Sequence, residues 1–472
     1  MTKLESLQKS HWKFATSVAT PYVSPECLKV SGNGVIALYI FLSFVSIARY
    51  AQAATYCPPS EAQGGWRSLV TPNTNPSATE KQQILAITGV DWDKLKLAWN
   101  YVAPHTSALF VVRNGWVVGN WGSVGGFYLN SISKSITGAA LASMFTQSAA
   151  GTDPIIGPDD FVYQHLPSSW GDANPARQAI QIKHLMTHSS GLLTDQGVGP
   201  SCDYFTQQPV VAPPGTLWAY SNSNALLEST IVHWKSGLSL KDYFNQQIAG
   251  PIGAQPVDFI EDCGESGGQG GGYWGAQSLA RLSYLLMKEG NWNGNQIISE
   301  PFLSQLTNWA PFLANAASDP LSATYSDFAQ GKDVSTYSWW SNLTGEVQGT
   351  TWPSDTLCAS GAAKEIVCAS PSLDLLYVRL GEDPPIAPQE FFMTLAASIT
   401  NSISASSPPP PPPAPTSTDL GITLDNGDGI SRPLGQTGFN SFLEHEPAVF
   451  LVTLGFMFEQ LLAYSPGTSS WI

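Results

Sequence analysis

The sequence predicts an α+β fold on three observations. The stretch "SALFVVRNGWVVGNWG" (residues 107–122) reads as a hairpin, two apolar β-branched runs around Arg113-Asn114-Gly115 with Asn-Gly as the turn. Strand character returns in "EIVCASPSLDLLYVRLG" (residues 365–381). Helical spacings lie before, between and after these segments.

Composition sets the outer bounds. Of 472 residues, 43% are hydrophobic and 12% charged, which describes a globular chain with a substantial core, and 16 Trp with 42 Gly point to many loops. A formal net charge of −15 argues against phosphate backbones, hence nucleic acid, and against anionic membranes as partners. No block of like charge reads as an interaction tail.

The first element is a targeting leader. Lys3, Lys9, Lys13 and Lys29 precede an apolar run, Val35–Ala48, and Ala51-Gln52-Ala53 follows as a small-x-small cleavage site. The run is shorter than the roughly 20 residues needed to span a bilayer, so export to a secreted location is expected. The leader ahead of the run is long, and the alternative is an uncleaved signal-anchor, the one expected route to a membrane. Export makes the cysteines candidates for disulfides. Cys27 leaves with the leader; Cys57, Cys202, Cys263, Cys358 and Cys368 remain, an odd set, so at least one stays free or pairs between chains. A tight turn near Ala363 would set Cys358 opposite Cys368 on adjacent strands. Asn342-Leu343-Thr344 is the one N-glycosylation sequon.

Next, "GVDWDKLKLAWNYV" (residues 89–102) has helical spacing at Trp92, Leu95, Leu97 and Trp99. The hairpin follows, then a small-residue helix in "LNSISKSITGAAL" (residues 129–141). Residues from about 150 to 330 mix helix and loop, including the amphipathic "YWGAQSLARLSYLLMKEG" (residues 273–290), closed by Gly290. "PQEFFMTLAASITNSI" (residues 388–403) is the last helix. Six prolines, Pro408 to Pro413, then form a stiff polyproline II spacer. The tail's apolar run, Ala448–Phe458, is too short to span a bilayer. The expected organisation is a leader over 1–53, a folded domain over 54–405, a proline-rich linker over 406–418 and a tail of unassigned structure over 419–472.

The chemistry starts from Ser131 and Lys134, one helical turn apart and so on one face. Near a helix N-terminus the serine N–H is free to bind an oxyanion. A buried lysine that gives up its proton can accept the serine's. S-x-x-K also occurs at Ser6–Lys9 in the leader, so a partner is needed. "PPGTLWAYSNSNALLEST" (residues 213–230) supplies Tyr220, a candidate general acid/base, and Asn222, which can orient a substrate amide, just before a helix.

Ser131-x-x-Lys134, "IQIKHLMTHSSGL", "PPGTLWAYSN" and "YWGAQSLARLSYLLMKEGNWNGNQIIS" fall in one order. Over about residues 66–400 the chain thereby resembles the serine β-lactamase-related superfamily: class C β-lactamases, D-alanyl-D-alanine peptidases, esterases of that fold and 6-aminohexanoate-oligomer hydrolases. The resemblance implies a β-lactamase/transpeptidase-like architecture, an antiparallel sheet flanked by terminal helices with an all-helical domain inserted. The sheet part would take about 54–138 and 335–405, the helical part about 139–334. Ser131 would be the acylated nucleophile, Lys134 its proton acceptor, Tyr220 the proton relay to the leaving group and deacylating water, and Asn222 a contact of the second motif. No metal or organic cofactor is implied.

The third motif departs from the family's pattern of Lys or His, then Thr or Ser, then Gly. Its best match is Ala359-Ser360-Gly361, without the basic residue, and Lys364 stands five positions beyond that place. The resemblance still implies that Ser360 and Gly361 contact substrate and that the backbone N–H groups of Ser131 and Ala362 form the oxyanion hole. Loss of the cation disfavours carboxylate-bearing substrates such as β-lactams and favours neutral esters or amides.

Three rival sites carry less. Gly264-Glu265-Ser266-Gly267-Gly268 matches a G-x-S-x-G elbow, but glycines follow where a helix should, and the segment reads as a flexible loop. His184 and His188 have zinc-helix spacing without the accompanying Glu and read as structural. His233 in "TIVHW" reads as a satisfied core histidine. The expected function is an exported serine hydrolase, a carboxylesterase or amidase with a small-molecule substrate. The alternatives are a β-lactamase or D-Ala-D-Ala carboxypeptidase, a non-catalytic scaffold or binding protein of the same fold, and a surface-tethered form that uses the proline spacer as a stalk.

Overall fold

The computed structural model describes residues 56–167, 170, 174–193, 208–307, 313, 315–319, 322, 331–381 and 388–400, and the short strands Thr423–Leu424 and Arg432–Pro433. The leader, the proline-rich spacer, the rest of the tail, Cys27 and Cys202 lie outside the described residues. Two helices come first, α1 (Ala78–Thr88) and α2 (Trp92–Val102). Ser77 opens α1 with a capping box to Glu80, and Asp91 caps α2 by accepting from the Lys94 N–H. The buried face of α2 is Trp92, Leu95, Ala98 and Val102, while Leu97 is exposed. The expected Leu97 position is therefore wrong: a step of three to four residues from Leu95 lands on Ala98.

Strands β1 (Thr106–Arg113) and β2 (Trp116–Gly122) form the hairpin read from the sequence. Its turn places Asn114 at φ 52° and Gly115 at φ 71°, the left-handed pair that a two-residue hairpin turn needs. Then come β3 (Gly126–Tyr128), the central helix α3 (Ile132–Ala149), α4 (Asn222–Ser236), β4 (Gly272–Gly275) and α5 (Ala276–Met287). Next come β5 (Trp340–Ser341), β6 (Leu357–Ser360), β7 (Ile366–Ser370), β8 (Leu375–Gly381) and α6 (Pro388–Ala397).

The main sheet is antiparallel throughout, in the order β5-β6-β7-β8-β1-β2. Alternation along β1 explains why nearly all of it is buried. Leu109 and Val111 face one core with Trp92 and Leu95 of α2 and Phe392 of α6. Ala108, Phe110 and Val112 face a second core with Leu282 and Leu285 of α5 and with α3. The sheet is thus covered on both sides, by the terminal helices and by α5. Helix α5 packs on β1, β7 and β8 although it lies inside 139–334, the stretch expected to be the helical part. That stretch also holds β4, so the boundary between the two parts runs through it.

The sequon is not a surface site. Asn342 is 1% exposed, its Nδ2 donates to the carbonyls of Gly349, Trp352 and Pro353, and its Oδ1 accepts from the Gln348 N–H. It is the core of its own loop, and a glycan has no room there.

Cys358 and Cys368 face each other across β6 and β7 and are joined by a disulfide, with Cα atoms 4.1 Å apart. Cys263 is disulfide-bonded as well, and Cys57 is a free thiol. Among the described residues no helix is long and apolar enough to cross a membrane. Replacing both Cys358 and Cys368 by Ala is expected to cost about 2–3 kcal/mol, the chain-entropy value for a short closed loop. Denaturant unfolding of the full chain checks this, and an unchanged midpoint would leave the hairpin's stability to its backbone ladder alone.

Candidate active site

Helix α3 is buried on nearly all sides from Ile132 to Phe145, as an apolar small-residue helix through a core must be. Its entry is a tight bend. Asn130 stands at φ 48°, a left-handed conformation that Asn tolerates, and Ser131 follows at the N-cap. A serine there ordinarily caps the helix with its hydroxyl, yet Ser131 makes no such bond. Ser133 takes over locally: its Oγ donates to the Asn130 carbonyl and accepts from the Gly272 N–H. The Ser131 hydroxyl is thereby left to Lys134.

Lys134 is 4% exposed, and its ammonium donates to three acceptors from three places in the chain. These are Ser131 Oγ at 3.1 Å, Asn222 Oδ1 at 2.8 Å and the Gln269 carbonyl at 2.5 Å. An ammonium has three protons, so this set uses all of them. Loss of the proton toward Ser131 leaves an amine that still donates to Asn222 and Gln269 while its lone pair faces the serine hydroxyl.

Tyr220 lies beside the lysine, with Nζ 4.9 Å from its ring centroid. Its ring is held in an aromatic stack, 4.6 Å from His188 and 6.1 Å from Trp340 of β5. His188 grips the same segment twice. Its carbonyl accepts from the Ala219 N–H at 2.8 Å, and its Nδ1 accepts from the Ser221 N–H at 3.4 Å. Burial, helped by the Lys134 charge, lowers the His188 pKa to about 3, so the ring is a neutral acceptor across the physiological range. Ser131, Lys134, Tyr220, His188, Ser338 and Trp340 line one small pocket.

The structure therefore brings Ser131, Lys134, Tyr220 and Asn222 together. Asn222 accepts from Lys134 with its Oδ1. Ser360 is 5% exposed at the end of β6, and Gly361 packs against the bend that precedes the nucleophile. A Cβ at Gly361 would stand 2.6 Å from the Leu129 carbonyl, so glycine is what lets β6 come this close. Ala362 follows in the β6–β7 turn. Among the described residues neither the Ser131 N–H nor the Ala362 N–H has an acceptor. The turn also decides the place of Lys364, at φ 59°, outside either strand.

Of the rival sites, Ser266 sits in a small hairpin, its Oγ accepting from the Lys241 N–H, with no helix behind it. The glycine run after it is not the flexible loop expected. A Cβ at Gly268 would stand 2.6 Å from Thr137 Oγ1 and one at Gly272 2.8 Å from Ser133 Oγ. The run is a tightly packed floor that delivers the Gln269 carbonyl to Lys134. His184 accepts from the Gln181 N–H, and burial lowers its pKa to about 4. His233 is not a core residue: its side chain is 44% exposed and its Nδ1 lies 3.0 Å from Glu265. Among the described residues no group of three or more His, Cys, Asp or Glu could hold a metal.

A family model described as Beta-lactamase matches residues 101–357, more than half of the chain. The chain belongs to the β-lactamase family. A D-aminopeptidase of Cereibacter sphaeroides is 26% identical to this β-lactamase-family chain over 158 residues, 32% of the chain. The chain spans 54% and 29% of the lengths of the two curated relatives it matches first. A structure from Bacteroides dorei described as a β-lactamase superposes with TM-score 0.53 at 16% identity, covering 66% of this chain and 98% of that one. EstCE1, described as a hydrolase with promiscuous acyltransferase activity, gives TM-score 0.51 at 14% identity, covering 68% and 99%. These structural likenesses establish the fold.

One site residue escaped the sequence reading although "SNALLESTIV" displays it, a lone acid in an apolar helical run. Glu228 of α4 is 2% exposed and faces α3, its Oε2 accepting from Ser338 Oγ at 3.5 Å. Burial raises its pKa to about 8 against the pull of Lys134. The unfolded chain releases this proton near pH 4.5 and the folded chain near 8, so between them the folded state holds the extra proton. Stability is accordingly lost as pH rises through that window. Glu228→Gln is expected to remove the loss, leaving the variant the more stable chain at pH 8 by a few kcal/mol and close to the parent at pH 4.5. Thermal unfolding of both across pH 4–9 checks it; parallel profiles would refute it.

Proposed function

We propose that this chain is an exported serine hydrolase that cleaves an ester or amide through an acyl-enzyme on Ser131, as a carboxylesterase or amidase. The observation that carries the reading is the 3.1 Å contact between Lys134 Nζ and Ser131 Oγ in a buried setting. In its amine form Lys134 takes the hydroxyl proton as Oγ attacks the substrate carbonyl. The developing oxyanion is met by the N–H groups of Ser131 and Ala362. Collapse expels the alcohol or amine, protonated through Tyr220, and a water activated by the same groups then releases the acid.

The substrate class follows from the third motif. Ala359 stands where the family carries a cation, Lys364 is in the turn, and Glu365 adds a carboxyl nearby. This supports neutral acyl groups over carboxylate-bearing β-lactams and peptidoglycan stems. The relative described as a D-aminopeptidase supports the amide branch. Export rests on the leader's charge and apolar pattern.

Hydrolysis of a short-chain p-nitrophenyl ester by the full chain tests the reading. Ser131→Ala and Lys134→Ala are each expected to lower kcat by about 10³-fold or more, with Tyr220→Phe milder. Equal rates in the parent and Ser131→Ala would remove Ser131 as nucleophile. Absence of turnover in the parent, together with absence of acylation by a phosphonate probe on intact mass, would leave a non-catalytic scaffold.

A further inference from the structure

The β6–β7 turn is held from three directions. Within it, the Gly361 carbonyl accepts from the Lys364 N–H at 3.0 Å and the Gly361 N–H donates to the Glu365 carbonyl at 2.8 Å. With Lys364 left-handed, this is a type I turn closed by a bulge residue. From below, Arg379 of β8, itself 2% exposed, donates Nη1–H to the carbonyls of Ala363 at 2.9 Å and Lys364 at 2.7 Å. Ala362 occupies the second position of the turn, whose N–H the turn does not use.

The third direction is the Glu365 side chain, 2% exposed. Its Oε2 accepts from the Ala363 N–H at 3.0 Å, and its Oε1 accepts from Asn130 Nδ2 at 2.7 Å. Asn130 is the left-handed residue that aims Ser131. One carboxyl group therefore bridges the two backbone segments that carry the Ser131 and Ala362 N–H groups. Gly361 makes the approach feasible, because a Cβ there would stand 2.4 Å from Glu365 Oε2 and 3.1 Å from Asn130 Cβ.

We propose that Glu365 is a positioning residue for the oxyanion hole, setting the distance between the Ser131 and Ala362 N–H groups through Asn130 and Ala363. The inference rests on the acyl-enzyme reading and deepens it. Both partners are donors, so two acceptor oxygens are needed, and a carboxylate supplies them where an amide supplies one. The bridge acts where charge develops in the transition state, so it bears on kcat more than on substrate binding.

The experiment is a double-mutant cycle on ester hydrolysis by the full chain, with Glu365→Ala, Asn130→Ala and the double variant. Each single change is expected to lower kcat at least tenfold with KM within about twofold. The double variant is expected to be no worse than the poorer single, because the two residues act as one bridge. Glu365→Gln, which keeps the volume and guards against misfolding, is expected to lose several-fold in kcat at near-parental Tm. Parental kcat in folded Glu365→Ala or Glu365→Gln, or losses that multiply in the double variant, would overturn the positioning role while leaving the acyl-enzyme reading intact. A parent without turnover or probe acylation would overturn both.

Discussion

The arrangement depends on one buried cation. Taking an ammonium out of water costs several kcal/mol unless its protons are met, and Lys134 is met three times. One acceptor comes from the bend before α3, one from the first residue of α4 and one from the glycine run ahead of β4. None of these can move alone without stranding a buried charge, a fault of about 3–5 kcal/mol. The glycines at 268 and 272 are the consequence, since only a backbone without side chains brings the Gln269 carbonyl to within 2.5 Å of Nζ while touching Thr137 and Ser133. The lysine proposed to deprotonate the serine is also what ties α3 to α4 and to the glycine run.

A second cation works from beneath the site. Arg379 spends Nη1 on two turn carbonyls and donates its Nε–H to Thr106 Oγ1 at 2.9 Å, tying the β6–β7 turn to the first residue of β1. Its charge shapes backbone and is not offered to a ligand. With Ala359 at the family's basic position, the proposed reaction is matched to a neutral acyl group.

Patterns with a short physical period were legible in the sequence. The hairpin followed from Asn-Gly between β-branched runs, the disulfide from two cysteines equidistant from a turn, and Ser131, Lys134, Tyr220 and Asn222 from spacing plus family order. What escaped depends on distances between remote segments. Gln269 acts through its carbonyl, which any residue has, so its identity carries no signal; the signal was the glycine run, read as mobility when it meant close approach. Glu365 acts through partners 235 and two positions away, and no local rule pairs them. Leu97 and His233 failed for a simpler reason: one step along a helix moves a side chain by about 100°, enough to turn an expected core residue to solvent.

The buried acids complete the electrostatic logic. Glu228 sits under α3 with its proton retained to about pH 8 by burial, so at neutral pH it places no negative charge beneath Lys134. Glu365 also has its pKa raised by burial, yet its own N–H, the Asn130 amide, the Ala363 N–H and Arg379 favour its charged form. The two acids thus sit in unlike settings: among the described residues Glu228 meets the Ser338 hydroxyl, while Glu365 is met by the Ala363 N–H and the Asn130 amide. His188, neutral for the same reason that Glu228 is, packs against Tyr220 without adding a second cation. In the proposed reaction Lys134 therefore takes up the Ser131 proton beside a Glu228 and a His188 that burial keeps neutral at pH 7.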